Sequence, residues 1–455
     1  MTITTTNPAT KKELETYTLH ANEQVEAILS DAHATWKTWR HTSFQQRAQM
    51  LQKAADLLEA SKEQYAEMMT LEMGKVKKSA ISEIEKCAWV CRYYAENGAD
   101  FLKNEHINTE ASKSYISYQP LGVILAVMPW NYPFWQVFRF AAPTLMAGNV
   151  GILKHASNVP GCALMIEDIF KKASGSDGIF KTLLVKSDAI EAIIEDKRIK
   201  AVTLTGSGPA GAAVAATAGK NIKHTVLELG GSDPYLVLED ADLEHAATQC
   251  TESRLLNTGQ SCIGAKRFIV VEEVYDQFLA LFQAKMLNAR MGDPMQDSVH
   301  LGPMARHDLR DEVHEQVQKS IEKGANLLIG GTIPDQEGAY YPATILTEVA
   351  PGMPAFDDEI FGPVASVIKA TNQQEAIEIA NNSDFGLGAC VFTQDLEKGE
   401  RIAREELQAG CCFVNQYVKS DPRLPFGGIK TSGFGRELSY YGIREFVNIK
   451  TVYVK

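Results

Sequence analysis

From residue 121 onward the chain alternates short apolar runs with amphipathic stretches, and this alternation constrains the fold more than any other feature. The runs fall at 122–128, 150–154, 181–185, 200–205 and 225–229, with helical spacing between them at about 134–147, 159–173, 188–196 and 209–219. Strands that are apolar throughout must be covered on both faces, the condition met by a parallel sheet with crossover helices. A second set follows, with strands expected at 235–238, 267–271, 326–329 and 364–369 and helices at 241–256, 273–290, 306–323 and 373–380. The boundary between the two α/β units is placed near Gly230–Gly231. Residues 21–104 carry apolar side chains at three- and four-residue spacing (Ala48, Leu51, Ala54, Ala55, Leu58) and predict helices. Residues 114–119 alternate like an exposed strand closed by Pro120, and Phe446–Val454 alternates again at the chain end. Such a strand invites pairing with another subunit, so a homodimer or homotetramer is expected.

Bulk properties exclude several classes. A chain of 455 residues is too long for one core. A net charge of −12 argues against nucleic acid, whose phosphates require clustered Lys and Arg. The longest apolar runs, such as Gly122–Trp130, are too short to span a bilayer, and the first residues show no apolar signal region. The eight cysteines include no Cys-x-x-Cys pair and no zinc-type Cys/His spacing, so no metal is expected and a reducing, cytoplasmic compartment is the natural setting.

Two segments stand out chemically. Cys262 lies in Asn-Thr-Gly-Gln-Ser-Cys-Ile-Gly (257–264), and Glu228 lies in Leu-Glu-Leu-Gly-Gly (227–231). A thiol and a carboxylate in Gly-containing loops are the two parts needed to trap a carbonyl covalently and then hydrolyse the product. Either residue alone reads otherwise: a lone Cys is usually core filler, and a lone Glu a loop carboxylate. A third segment, Gly206-Ser-Gly-Pro-Ala-Gly211, formally matches the dinucleotide fingerprint, with Glu228 where a ribose-binding acid belongs. Pro209 is unusual in such a loop, and Gly208 reads as an incidental match.

Six segments in order carry a resemblance. They are Met-Pro-Trp-Asn-Tyr-Pro (128–133), Gly-Asn-Val-Gly-Ile-Leu-Lys (148–154), Leu-Glu-Leu-Gly-Gly (227–231), Gly-Gln-Ser-Cys (259–262), Glu-Ile-Phe-Gly-Pro-Val (359–364) and Leu-Pro-Phe-Gly-Gly-Ile-Lys-Thr-Ser-Gly-Phe-Gly-Arg-Glu (424–437). Together they resemble the aldehyde dehydrogenase superfamily across the whole chain, and most of all its short bacterial succinate-semialdehyde dehydrogenase branch. The resemblance implies an α/β fold with three parts. A Rossmann-type cofactor domain would be built from 1–102 and 122–229, an α/β catalytic domain from 230–430, and a small β oligomerisation flap from 103–121 with 440–455.

It also implies roles. Cys262 is the expected nucleophile, Asn131 with the Cys262 backbone N–H the expected oxyanion donors, and Glu228 the base that activates water on the thioester rather than a ribose ligand. The presence of Glu228 favours a free acid product, since coenzyme-A-acylating members generally lack it. Trp130, Gly206, Ser207, Gly211 and Leu229 would line the cofactor, Lys154 would reach the adenosine ribose, and Glu359 the nicotinamide ribose beside Phe361. Ser157 stands where many NAD-preferring relatives carry Glu; a hydroxyl tolerates a 2′-phosphate that a carboxylate repels. NADP is therefore the expected cofactor, with NAD possible. On the substrate side, Trp135 and Arg139 share a helix face, and Ser420 and Phe426 belong to a loop bordering the tunnel in relatives. Arg139 with Ser420 would receive a carboxylate, as in succinate semialdehyde, unless Arg139 is spent in an ion pair. Glutarate semialdehyde, aminobutanal and aromatic aldehydes are the alternatives.

Overall fold

The computed structural model describes residues 1–455. Its organising element is a six-stranded sheet ordered Gly433–Phe434, His224–Glu228, Ile199–Thr205, Val123–Met128, Val150–His155, Phe180–Thr182. Five of these strands are parallel and Gly433–Phe434 is antiparallel. The parallel strands follow the doubly wound order, which reverses between Val123–Met128 and Ile199–Thr205. Loops leaving the carboxyl ends of two such strands diverge and open a crevice. Here the loops are Pro129–Asn131 and Gly206–Ser207.

The apolar alternation within each strand explains the burial of both faces. Val123 and Leu125 pack with Leu29, Ile152 and Leu204 on one side. Ile124, Ala126 and Met128 pack with Phe134, Phe138 and the helices of the first hundred residues on the other. Those helices are Asn22–Trp39, Phe44–Ala60, Lys62–Met73 and Lys77–Phe101.

The second unit is a seven-stranded sheet ordered Asn326–Ile329, Thr344–Thr347, Val364–Ala370, Arg267–Val271, Pro234–Val237, Gly388–Phe392, Cys411–Val414. It is parallel except for Asn326–Ile329. Alternate residues of Pro234–Val237 again face two cores, Leu236 into one and Tyr235 with Val237 into the other. A third sheet pairs Val447–Val454 with Lys113–Pro120, which pairs with Glu105–His106.

Sequence periodicity misses several strands. The hairpin Thr2–Thr6 with Glu13–Thr18 is too polar to stand out. Thr344–Thr347, Gly388–Phe392 and Cys411–Val414 are four- or five-residue strands whose sheet partners lie far away in sequence. Gly433–Phe434 is a two-residue strand in a Gly-rich segment, yet it returns the chain to the six-stranded sheet and pairs Gly433 with Glu228.

Gly433 has φ of +114°, and a Cβ there would overlap the Leu227 carbonyl oxygen. Gly433→Ala is therefore expected to destabilise the protein by about 2 kcal/mol or more. It should also pull the Glu228 strand out of register, lowering the thermal midpoint and the turnover together.

Candidate active site

Two cavities meet at one side chain. The first, of about 250 Å³, is lined by Trp130, Asn131, Gly206, Ser207, Glu228, Leu229, Cys262, Glu359 and Phe361, with Leu309, Val313 and Gln316 from the helix His307–Glu322 as part of its wall. The second, of about 390 Å³, is lined by Lys86, Tyr132, Trp135, Arg139, Cys262, Ser420 and Phe426. Cys262 belongs to both, at their junction.

The loop that presents Cys262 is conformationally costly. After the helix Leu243–Leu255, Asn257 (φ +54°), Thr258 (φ +56°) and Gly259 (φ +74°) are all left-handed. Only Gly fits at 259, where a Cβ would overlap the Gly362 backbone. Buried hydrogen bonds hold the turn. Asn257 Nδ2 donates to the Asn131 carbonyl (2.8 Å) and the Gln260 carbonyl (3.1 Å). Gln260 Nε2 donates to the Asn257 carbonyl (3.1 Å), and Arg254 Nη2 to the Gly259 carbonyl (2.6 Å).

Asn131 is fixed from both ends of its amide. Gln136 Nε2 donates to its Oδ1 (3.0 Å), and its own Nδ2 donates to the Gln260 carbonyl (3.1 Å). A second Nδ2 hydrogen is left over. The Cys262 backbone N–H donates to no protein acceptor. These are two unspent donors beside one sulfur.

The charges are buried and partly unpaired. Burial pushes the Cys262 thiol up to about 12, while Lys266 and Arg139 pull it back. Lys266 Nζ donates to the Ser261 and Cys262 carbonyls (2.8 and 2.7 Å) and pairs with Glu359 (3.2 Å). Glu228 is buried, with neither carboxylate oxygen hydrogen-bonded. Burial, then the nearby Glu437, raises its pKa well above the ordinary carboxylate range. Gly427 leaves room for it, since a Cβ there would stand 2.7 Å from Glu228 Oε1. Arg139 lines the second cavity, but its Nε is ion-paired with buried Glu437 and its guanidinium lies 4.7 Å from the Phe426 ring centroid. The ion pair considered as the alternative in the sequence is thus present, and the Arg139 charge is largely spent.

Glu228 shares a cavity with Cys262. Trp130 and Phe361 stand edge to face, 5.8 Å between centroids. In the glycine fingerprint only Gly211 is sterically required, because a Cβ there would meet Leu229 Cδ2 at 2.6 Å, whereas Gly208 faces open space. Lys154, Ser157 and Gly211 lie outside the enclosed cavity. Lys154 ends the strand Val150–His155 with Nζ 3.5 Å from Ser187 Oγ, and Ser157 follows in the turn before the helix Pro160–Ser174. Trp135 Nε1 donates to Ser420 Oγ (3.1 Å), which places both in the second cavity. The residues that sequence reasoning missed are Lys86, Gln136, Gln260, Lys266 and Glu437. Of these Gln260 and Glu437 lie in quoted motifs.

A sequence model described as the aldehyde dehydrogenase family matches residues 1–452. The chain is 51% identical over 454 residues to a protein of Synechocystis sp. named probable succinate-semialdehyde dehydrogenase (NADP(+)), covering 100% of each. It is 51% identical over 457 residues to a Mycobacterium tuberculosis protein named succinate-semialdehyde dehydrogenase (NADP(+)) 1, again covering 100% of each. Among solved structures, succinic semialdehyde dehydrogenase from Streptococcus pyogenes in complex with NADP+ superimposes with a TM-score of 0.97 at 38% identity, covering 99% of both chains.

Lys266→Met is expected to slow alkylation of Cys262 by iodoacetamide between pH 7 and 9, about tenfold for each unit by which the thiol pKa rises. Peptide mass spectrometry at Cys262 reads the rate, and an unaltered rate would show that the ammonium does not act on the sulfur.

Proposed function

The chain belongs to the aldehyde dehydrogenase family, and on that premise we propose that it oxidises succinate semialdehyde to succinate with NADP+. The observation that carries the reading is the single thiol opening onto two cavities of opposite character. One is lined by the glycine loop and by Glu359, and the other by cations, aromatics and a serine hydroxyl.

The first cavity fits a nicotinamide dinucleotide. Gly206 and Gly208 leave the mouth of the helix Gly208–Lys220 open, where backbone N–H groups suit a pyrophosphate. Ser207, Trp130 and Leu229 line that side, Gly211 brings the helix close to Leu229, and Glu359 with Phe361 closes the nicotinamide end. Lys154 and Ser157 stand at neighbouring strand and turn ends, placed for the adenosine ribose and its 2′-phosphate. When bound, the nicotinamide accepts the hydride that leaves the substrate carbon.

The chain's own residues do the rest. The Cys262 sulfur adds to the aldehyde carbon, and the oxygen that becomes negative lies between the spare Asn131 Nδ2 hydrogen and the Cys262 N–H. Removing one such donor typically costs about 3 kcal/mol in the barrier. Loss of hydride leaves a thioester on Cys262. Glu228 takes a proton from water as the water oxygen bonds to the thioester carbon, and the Cys262 thiolate departs as the acid is released. A carboxylate with no partner and a raised pKa is a stronger base than an ordinary one. Its activity is present above its pKa and lost as pH falls through it. Trp135, Phe426, Arg139 and Ser420 wall the substrate side.

The outer edge of Val447–Val454 is unpaired, with Ile449 and Tyr453 exposed, which supports a homodimer or homotetramer. All eight cysteines are free, which supports a reducing, cytoplasmic setting; separately, no helix is long and apolar enough to cross a membrane.

The test is an aldehyde panel with NADP+, comparing succinate semialdehyde, glutarate semialdehyde, aminobutanal, benzaldehyde and butanal. The highest kcat/KM is expected for succinate semialdehyde, with free succinate as product; a higher value for an uncharged aldehyde would overturn the reading. In a second measurement, Ser157→Glu should shift the NADP+ to NAD+ ratio of kcat/KM toward NAD+ by about tenfold or more, because a carboxylate would face the 2′-phosphate.

A further inference from the structure

The substrate cavity contains a half-buried cation that no sequence motif marks. Lys86 lies on the helix Lys77–Phe101, one turn beyond Ser82 and Glu83, so these side chains face the cavity together. Its Nζ donates to Ser420 Oγ (2.9 Å) and lies 4.3 Å from the Trp135 ring centroid. No carboxylate lies within ion-pair distance of it, although twenty-five such pairs occur elsewhere, including those that occupy its neighbours. Glu83, on the same wall, is paired with buried Lys75 and accepts from the Phe134 and Trp135 N–H groups (2.9 Å each). Arg139 is paired with Glu437, and Asp421 with Arg423. The remaining cation of the lining, Lys419, is exposed at the rim.

Ser420 points the same way. Its Oγ accepts from both Lys86 Nζ and Trp135 Nε1, and its own hydroxyl hydrogen has no protein acceptor. An ammonium carries three donor hydrogens and here spends one on Ser420. The pair thus presents a half-buried positive charge and unspent donors to the cavity, with no carboxylate paired to it. A buried charge left without its counterion is unfavourable unless a ligand supplies one. The chemistry that completes it is a carboxylate.

We propose that Lys86, together with the Ser420 hydroxyl, is the specificity-determining site that receives the carboxylate of the semialdehyde. The inference rests on the reading that the substrate carries that carboxylate, and it names the cation that meets it while Arg139 is held on Glu437.

The experiment compares succinate semialdehyde with butanal, the uncharged aldehyde of equal chain length, using the full-length enzyme and saturating NADP+. Lys86→Met is expected to raise KM for succinate semialdehyde about ten- to a hundredfold, the range for a charged hydrogen bond, and to change butanal far less. Lys86→Arg should retain most of the preference, and Ser420→Ala should erode it in the same direction by a smaller factor. Lys419→Met is expected to change neither substrate by more than about twofold, as for an exposed charge. As a readout independent of turnover, succinate should protect Cys262 from iodoacetamide in the native enzyme and not in Lys86→Met. Equal losses on both aldehydes, retained protection by succinate, or loss of preference in Lys419→Met instead would each overturn the inference. Should Lys86→Met not fold, Ser420→Ala decides: an undiminished preference there overturns it as well. A native enzyme that does not prefer succinate semialdehyde over butanal removes the functional reading itself, and this is seen before any variant is made.

Discussion

Two asparagine amides clasp the unit built on the six-stranded sheet to the unit built on the seven-stranded sheet, and the site lies where they meet. Asn257 Nδ2 donates to the Asn131 carbonyl, and Asn131 Nδ2 donates to the Gln260 carbonyl. Each amide thus reads the backbone of the other unit's loop. The turn they stabilise is strained: Asn257 and Thr258 in left-handed conformation cost on the order of 1–3 kcal/mol each. The buried hydrogen bonds of Asn257, Gln260, Arg254 and Asn131 offset this at about 1 kcal/mol apiece. The two sums are comparable, and two of the five bonds come from the Asn131 loop, so docking of the two units contributes to the shape of the loop that carries Cys262.

Electrostatics then divide the labour around that sulfur. Burial disfavours every charge in the site, raising Cys262 and Glu228 and lowering Lys266 and Lys86. The ion pairs correct this selectively. Lys266 is tied to Glu359 on the cofactor side, and Arg139 to Glu437 beneath the substrate side. Of the three acids lining the first cavity, Glu228 is the buried one, and both its oxygens are free. A base that must collect a proton late in the reaction cannot be committed to a permanent partner, because each such bond would lower its pKa and its basicity.

What was legible in the sequence follows from where information is local. The parallel strands of the six-stranded sheet are continuous apolar runs, and the residues at their carboxyl ends fall in short loops rich in Gly, Pro and Asn. Trp130, Asn131, Gly206, Glu228 and Cys262 are therefore visible as motifs. Gly388–Phe392 and Cys411–Val414 are not, because a short strand buried in the middle or at the edge of a sheet has no periodicity that a buried helix turn lacks. Lys86 reads as an ordinary surface lysine of an amphipathic helix. Only the approach of Ser420, 334 residues later, shows that its ammonium turns into the cavity wall. Gln136 is similarly silent, since its role is to orient another side chain's amide.

The same comparison bears on Arg139. Its spacing from Trp135 places it on the cavity wall, and the structure puts it there. Spacing along a helix sets which way a side chain leaves the backbone, but the partner of its charge is set by tertiary contact. Glu437 occupies the guanidinium from beneath, Phe426 covers its face, and Thr205 Oγ1 stands 3.4 Å from Nη2. A cation enclosed in this way still adds positive potential to the cavity, and it still counters the negative charge of Glu228 and Glu437. With its charge balanced by Glu437, it offers a ligand only its remaining Nη hydrogens. Recognition of a carboxylate needs both charge and donors at one point, and in this cavity that point is where Lys86 and Trp135 converge on the Ser420 oxygen.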